Sequence, residues 1–262
     1  MGPEFVAALV DALVVAELQG RRVMLVGAWA RDLCLPVHQR REARKTNDAD
    51  LAIIVDSWEG VDRFFAAAET QFYVTRPELF MRHRESGVQV DVVPCGALEG
   101  AQGVLSIRGS RRVMNIRGLA EAFDVATPHT LQGRVFLVPP PCAFVHLKLL
   151  AFIDRRAPRD LRDVGHVVRY FEYDALNDAA MMERFADGLT FEDAPAWGIG
   201  ATLANQFTAG VRDAFCAALG TVAAETPGMR GLLASHILDP DQRVEAADRI
   251  IRLLRAGAES TR

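Results

Sequence analysis

The chain lacks the features that mark secreted, membrane-spanning or repetitive proteins. Its 262 residues contain only four cysteines, which are widely separated and match no metal-ligand spacing: Cys34, Cys95, Cys142 and Cys216. No apolar run is long enough to span a membrane, and the first residues do not resemble a signal peptide. We find no internal repeat or low-complexity segment. These absences predict a cytoplasmic protein with free, buried thiols and no membrane partner.

Lysine is also scarce, because only two of the 30 basic residues are lysines and the rest are arginines. The net charge is −4 and half of the residues are hydrophobic, which is ordinary for a globular protein of one or two domains. One segment, 101–119, holds four arginines and no acid: Arg108, Arg111, Arg112 and Arg117. Such a local basic stripe suits phosphate-bearing ligands, including RNA, and the alternative is a solvated arginine face.

The hydrophobic pattern predicts a mixed α/β unit followed by a helical region. In the first part we expect helices over 4–18 and 58–69, strands near 22–26, 50–55 and 135–138, a hairpin over 80–94, and loops over most of 95–133. Three prolines at 139–141 end a strand and start a helix, so we expect domains at 1–139 and 140–262. In the second domain, a helical bundle is expected from segments near 142–156, 160–172, 176–186, 200–219 and 242–256.

Two aspartates open the apolar, β-branched run of residues 48–54. If this run is a strand, Asp48 and Asp50 point to the same face. Neighbouring carboxylates repel each other unless a divalent cation lies between them, so the pair is a candidate metal site. The alternative is that Asn47 and Asp48 form a turn while Asp50 caps the strand entrance.

Two further segments add to this pair. A short strand, 23–26, runs through Gly27 into a helix start, where free backbone N–H groups bind phosphate readily. In the second arm of the predicted hairpin, Asp91 lies among valines, on the face opposite Val90 and Val92. An acid embedded in a strand is unfavourable unless it is paired or metal-bound. Gly27 and Asp91 therefore join the candidate site.

These segments together resemble the DNA polymerase beta-type nucleotidyltransferase superfamily. The similarity is carried by Val26-Gly27-Ala28-Trp29-Ala30-Arg31-Asp32, Thr46-Asn47-Asp48-Ala49-Asp50-Leu51 and Val90-Asp91-Val92. The segment from Lys148 to Asp163 narrows the resemblance to the AbiEii-type bacterial nucleotidyltransferases, several of which are toxins of type IV toxin–antitoxin systems. Ala28 replaces the family's second glycine or serine, and the stretch from Ala28 to Asp48 is longer than usual.

The resemblance implies a polymerase beta-like mixed sheet with a helical C-terminal domain. It also implies transfer of a nucleoside monophosphate from an NTP to an acceptor hydroxyl, with Mg²⁺ or Mn²⁺. The metal ligands and catalytic acids would be Asp48, Asp50 and Asp91, with Gly27 and Ala28 at the phosphates and Lys148 on the triphosphate. Asp163, or alternatively Asp160, would be the last essential acid, and Arg155 and Arg159 would position phosphate or pair with these acids.

The sequence leaves several alternatives open. The apolar flanks of Lys148 also fit a side chain that snorkels from a helix edge. The acceptor is expected to be RNA, with tRNA as in toxins of this family and a protein antitoxin as partner. The other classes are a small-molecule transferase similar to aminoglycoside nucleotidyltransferases and a non-catalytic nucleotide-binding relative. Retention of all three aspartates argues against the last class. The histidines have no paired metal spacing and are expected to be structural or exposed.

Overall fold

The computed structural model describes residues 2–39, 48–173 and 179–260. Asn47 of the alternative turn, Lys45 and the first residues of the helix expected at 176–186 lie outside these ranges. The described residues fall into two compact units. The first unit holds those within Met1–Cys34 and Glu42–Pro140, and the second holds those within Leu35–Arg41 and Pro141–Arg262.

The first unit combines nine strands with four helices. Its strands are β1 (Val23–Val26), β2 (Asp48–Val55), β3 (Phe72–Thr75), β4 (Phe80–His83), β5 (Gln89–Gly96), β6 (Val104–Ser106), β7 (Val113–Asn115), β8 (Thr127–Leu131) and β9 (Arg134–Val138). Its helices are α1 (Pro3–Leu18), α2 (Gly27–Leu33), α3 (Trp58–Ala68) and α4 (Leu119–Val125).

Seven of these strands form one mixed sheet in the order β3-β4-β5-β2-β1-β9-β8, while β6 and β7 form a separate hairpin. Strand β2 lies parallel to β5 and antiparallel to β1, and β1 lies parallel to β9. The predicted α/β class with a mixed sheet is therefore confirmed. Strand β2 begins at Asp48, two residues earlier than expected, so both aspartates belong to the strand.

Helix α1 forms where the sequence predicted a helix over 4–18, and it buries Phe5, Leu9 and Leu13 among other apolar side chains. A histidine ties this helix to the turn between β4 and β5. His83 is buried; its Nε2 lies 2.9 Å from Asp11 Oδ2 and its Nδ1 lies 2.8 Å from Ser86 Oγ. Nδ1 also accepts a hydrogen bond from the Ser86 backbone N–H. His83 is structural, as expected, and it holds the turn from which β5 begins.

The expectation of loops over 95–133 is wrong in part. This region contains the β6–β7 hairpin, helix α4 and strand β8, and β3 was not predicted at all. These strands are short and each depends on a partner strand for its backbone hydrogen bonds, so their local pattern is weak. Strand β8, for example, is completed by pairing with β9 along residues 127–131.

The second unit is helical, as expected from the prolines at 139–141. Its helices are α5 (Pro141–Arg155), α6 (Pro158–Tyr170), α7 (Ala179–Ala186), α8 (Ala194–Gln206), α9 (Ala209–Ala223), α10 (Pro227–Arg230) and α11 (Pro240–Glu259). The single helix predicted at 200–219 is wrong, because Phe207 and Thr208 adopt extended backbone conformations and separate α8 from α9. None of the helices in the described part of the chain is long and apolar enough to cross a membrane.

Helices α8 and α11 pack at backbone contact. A Cβ added at Gly257 would lie 2.8 Å from the backbone nitrogen of Ala201, so only glycine permits this approach. All four cysteines are thiols outside any disulfide, as predicted, but only Cys95 and Cys142 are buried, whereas Cys34 and Cys216 are half-buried. Burial raises the pKa of the Cys95 and Cys142 thiols to about 12.

Candidate active site

The three predicted acidic residues lie on one face of two neighbouring parallel strands. In the register of β2 and β5, Asp50 lies opposite Asp91, and Asp48 lies opposite Gln89. Both Asp50 and Asp91 are half-buried, whereas Ala49 and the other alternate residues of β2 face the core. Because side chains alternate along a strand, the three carboxylates share the face that is not packed into this core.

Gly27 lies directly against the Asp50 carboxylate. Val26 pairs with Asp50 across β1 and β2, and α2 starts at the next residue. Gly27 has a φ of 69°, and a Cβ at this position would lie 2.6 Å from Asp50 Cγ and overlap Oδ2. Glycine is therefore required here both for its left-handed backbone conformation and for the space that Asp50 occupies. Ala28, the next residue, is buried.

The donor chemistry of this face fits a divalent cation, since Mg²⁺ prefers carboxylate oxygens. The side chain of Gln89 orients one of the acids, because its Nε2 donates to Asp91 Oδ1 at 2.8 Å. Within the ranges that the structure describes, however, no three His, Cys, Asp or Glu side chains are close enough together to hold a metal ion. The strands thus provide carboxylates on a shared face rather than a closed three-ligand cage.

The structure adds Arg31, a residue whose role the sequence pattern did not predict. Arg31 lies in α2, only 2% exposed, and its Nε donates to Asp32 Oδ1 at 2.7 Å. A buried guanidinium is unfavourable unless it is paired, so its partners are part of the local architecture around the Gly27 turn. The signal in the sequence was a charged residue inside a short apolar helix.

Lys148 lies inside an ion-pair cluster of the second unit. Its Nζ lies 2.8 Å from Asp163 Oδ2 and 3.4 Å from Asp160 Oδ1, and 5.7 Å from the centre of the Phe144 ring. The Lys148 side chain is 8% exposed and both aspartates are buried. The snorkelling alternative is therefore wrong, because the ammonium group ends among carboxylates and not in solvent.

The two arginines with a predicted site role, Arg155 and Arg159, differ in their surroundings. Arg155 makes a two-pronged contact with Asp160, donating from Nε to Oδ2 at 2.8 Å and from Nη2 to Oδ1 at 2.6 Å. The sequence left open whether Arg155 positions phosphate or pairs with an acid, and the structure shows the pairing with an acid. Arg159 is exposed.

Segment 101–119 holds no acid of its own, but one of its arginines pairs with acids from another segment. Arg108 forms ion pairs with Asp62 and with Glu59, at 3.6 Å for the latter, and lies over the Trp58 ring. A hydrogen bond from Ser57, with Arg108 adding to it, lowers the pKa of Glu59. These partners come from α3 and its N-cap, more than 40 residues earlier, which is why segment 101–119 alone did not reveal them.

Two of the remaining arginines, Arg111 and Arg112, are exposed in the turn between β6 and β7. Arg117 is half-buried, and its Nε donates to the backbone oxygen of Gln102 at 3.2 Å. The positive charge available at the surface of this segment is therefore concentrated at the hairpin turn and is smaller than the sequence implied.

Comparison with known proteins bears on these residues. A family model described as nucleotidyl transferase AbiEii toxin, type IV TA system, matches residues 33–246. A solved structure, an antigenic nucleotidyltransferase-like protein from Paracoccidioides brasiliensis, is similar over 70% of this chain and 86% of that chain, with 14% identity and a TM-score of 0.37. A search of curated protein sequences finds no match.

The mixed sheet, its helical partner unit and the family match define a nucleotidyltransferase. Because the matched residues make up most of the sequence, the chain belongs to the AbiEii family of nucleotidyl transferase toxins of type IV toxin–antitoxin systems. The predicted resemblance is thereby confirmed. Membership of this family implies that the substrate is an NTP and that the protein partner is an antitoxin. The match includes the three aspartates, Lys148 and Asp163, whereas the Gly27 turn precedes it.

Proposed function

We propose that the chain transfers a nucleoside monophosphate from an NTP to a hydroxyl group of RNA, with tRNA as the acceptor and with a toxic outcome for the cell. This is a reaction of the EC 2.7.7 type. The observation that carries the proposal is the register of β2 and β5, which sets Asp50 beside Asp91 while Gly27 packs against Asp50. A backbone turn next to paired carboxylates is suited to a triphosphate and its cation.

In this proposal a divalent cation, Mg²⁺ or Mn²⁺, binds at the face of Asp48, Asp50 and Asp91, where phosphate oxygens of the NTP would supply the ligands that the carboxylates alone do not. When bound, the cation supplies positive charge at the phosphate oxygens. Asp91 also accepts the proton of the attacking hydroxyl, and the hydrogen bond from Gln89 fixes the orientation of its carboxylate. Gly27 and Ala28 offer backbone N–H groups to the phosphates, and Arg159 offers an exposed guanidinium.

Lys148 neutralises charge on the triphosphate in this proposal, and Asp163 is the last essential acid. The choice of Asp163 over Asp160 is supported by their contacts. Both oxygens of Asp160 are engaged by Arg155, whereas Asp163 makes the shorter contact with Lys148. Asp160 therefore fits a supporting role.

RNA is preferred as the acceptor because of the exposed turn between β6 and β7. Arg111 and Arg112 are exposed there, next to Val113, which is 62% exposed. Adjacent arginines that face solvent bind phosphates of a polynucleotide well. A small antibiotic would not require this turn, so the turn favours RNA over a small-molecule acceptor.

The proposal is tested by incubating the purified chain with each α-labelled NTP, in the presence of tRNA, other RNA or aminoglycosides. We expect label to appear on tRNA with Mg²⁺ or Mn²⁺, to disappear with EDTA, and to be absent with Asp48→Ala. Label on an aminoglycoside but not on RNA would replace RNA by a small-molecule acceptor. Nucleotide binding without transfer to any acceptor would indicate a non-catalytic relative.

A further inference from the structure

A partly exposed arginine supports a fully buried carboxylate in the second unit. The Arg155 side chain is 45% exposed, whereas Asp160 is 0% exposed, yet the two are joined by two hydrogen bonds, one to each carboxylate oxygen. Such a fork fixes the plane of the carboxylate as well as its charge. Arg155 is the last residue of α5 and Asp160 lies in the first turn of α6, so the pair also closes the connection between these helices.

The same carboxylate contacts Lys148 on its other side. Nζ contacts both Asp160 and Asp163, so Lys148 and Arg155 share the Asp160 carboxylate. Buried charges are tolerated only when they are balanced and well oriented. Without Arg155, the Asp160 carboxylate would lose the guanidinium on one side, and the Lys148 ammonium would be drawn toward it.

We propose that Arg155 is a positioning residue that acts on Lys148 through Asp160. It fixes Asp160, and Asp160 together with Asp163 sets the place of the ammonium group that meets the triphosphate. This inference rests on the role of Lys148 in the proposed function. It replaces the expectation that Arg155 binds phosphate itself, because its Nε and Nη2 donate to Asp160.

The chain offers a direct way to observe the position of Lys148, because it contains just two lysines, Lys45 and Lys148. Protein labelled with ¹³C and ¹⁵N in lysine gives two side-chain NMR signals, and the Lys45→Arg variant identifies the signal of Lys148. We expect this signal to move in Arg155→Ala. It should stay in place in Arg162→Ala, which removes an exposed arginine from the same helix as Asp160.

Two additions separate positioning from a loss of folding. Thermal unfolding shows whether Arg155→Ala is folded. If Arg155→Ala does not fold, the Arg155→Lys variant replaces it in the NMR and kinetic measurements. Because Arg155 is partly exposed, guanidinium ion added to Arg155→Ala should enter the vacated place and shift the Lys148 signal back toward its original position. Arg155→Lys should restore the charge but not both hydrogen bonds, and so should restore the signal only in part.

The kinetic readout is the KM for the NTP. We expect it to rise on the order of tenfold in Arg155→Ala, with a smaller change in kcat, and to stay unchanged in Arg162→Ala. A Lys148 signal that does not move in a folded Arg155 variant overturns the proposal, and so does a moved signal with an unchanged KM. Failure of the proposed function is distinguishable, because the unsubstituted chain would then lack transfer while the Lys148 signal still moved.

Discussion

Gly27 and Asp50 occupy adjacent space, such that the carboxylate of Asp50 fills the place where a side chain at position 27 would begin. The geometry of the turn between β1 and α2 and the geometry of the acidic strand β2 therefore depend on each other. A change at Gly27 acts on Asp50 even though the two residues are 23 positions apart in the sequence. This relationship gives a test of the site that needs no change to an acid.

We expect Gly27→Ala to abolish nucleotide transfer, because the new methyl group displaces the Asp50 carboxylate. The matched control is Gly20→Ala. Gly20 has a similar φ of 62°, but no atom lies within 4 Å of the place of its Cβ. Both variants should have similar backbone strain, about 1–2 kcal/mol. Thermal unfolding measures the resulting loss of stability. Equal activity of the two variants would mean that the contact with Asp50 has no role in transfer.

The aspartates of β2 should be required for activity but not for folding. Asp48→Ala and Asp50→Ala should each lose transfer of labelled nucleotide, while the melting temperature of the metal-free protein is kept or rises, because repulsion between carboxylates is removed. Mg²⁺ should raise the melting temperature of the unsubstituted chain and have less effect on these variants. Asp56→Ala is the control, since Asp56 is an exposed acid just beyond the end of β2. Retained transfer in both β2 variants would contradict the site.

Lys148 and Asp163 should be energetically coupled. Lys148→Ala removes the ammonium group that lies 2.8 Å from the buried Asp163 carboxylate, so we expect the free energy of unfolding to fall by about 3–5 kcal/mol. Adding Asp163→Asn should destabilise less than the sum of the two single changes. The exposed pair of Arg184 and Asp187 is the control, with an expected coupling below about 1 kcal/mol. Additive effects for Lys148 and Asp163 in denaturant titrations would contradict a buried ion pair.

The acidic strands could be predicted from the sequence because their signal is local. The alternation of polar and apolar residues around Asp50 and Asp91 is visible within a few residues of each strand. The glycine turn before α2 is an equally local signal. The charge balance of the site could not be predicted in this way. Arg108 forms an ion pair with an acid of α3, which is distant in the sequence. The short strands β6 and β8 are stabilised by partner strands that only the folded chain provides.

Thiol reactivity should separate the four cysteines. Since burial raises the pKa of Cys95 and Cys142 to about 12, both remain protonated thiols at pH 8 and should resist alkylation in the native state. Cys34 and Cys216 are half-buried and should react first, as peptide mapping by mass spectrometry would show. In denaturant all four should react. Equal labelling of all four in the native protein would contradict the burial of Cys95 and Cys142.

The same two thiols predict how stability depends on pH. In the unfolded chain they ionise near the ordinary pKa of 9.0, whereas in the folded chain they keep their protons up to about 12. The unfolded state therefore binds fewer protons between these values, and the free energy of unfolding should fall as the pH rises from 9 to 12. Replacing both residues by alanine should flatten this part of the curve, as measured by urea titration. An unchanged slope would assign the loss of stability to other groups.

The exposed arginines of the β6–β7 turn should contribute to RNA affinity through phosphate contacts. Each such contact adds about 0.7–0.9 to the negative slope of log affinity against log salt concentration. We therefore expect the combined change Arg111→Ala and Arg112→Ala to weaken tRNA binding and to reduce the slope by about 1.4–1.8. Arg108→Ala is the control, because the Arg108 guanidinium is already paired with Asp62 and Glu59 and should change the slope far less. Fluorescence anisotropy at several salt concentrations measures both variants. RNA binding that is independent of salt, or absent while NTP binding is intact, would instead favour a small-molecule acceptor, because such an acceptor does not need a polyanion contact at this turn.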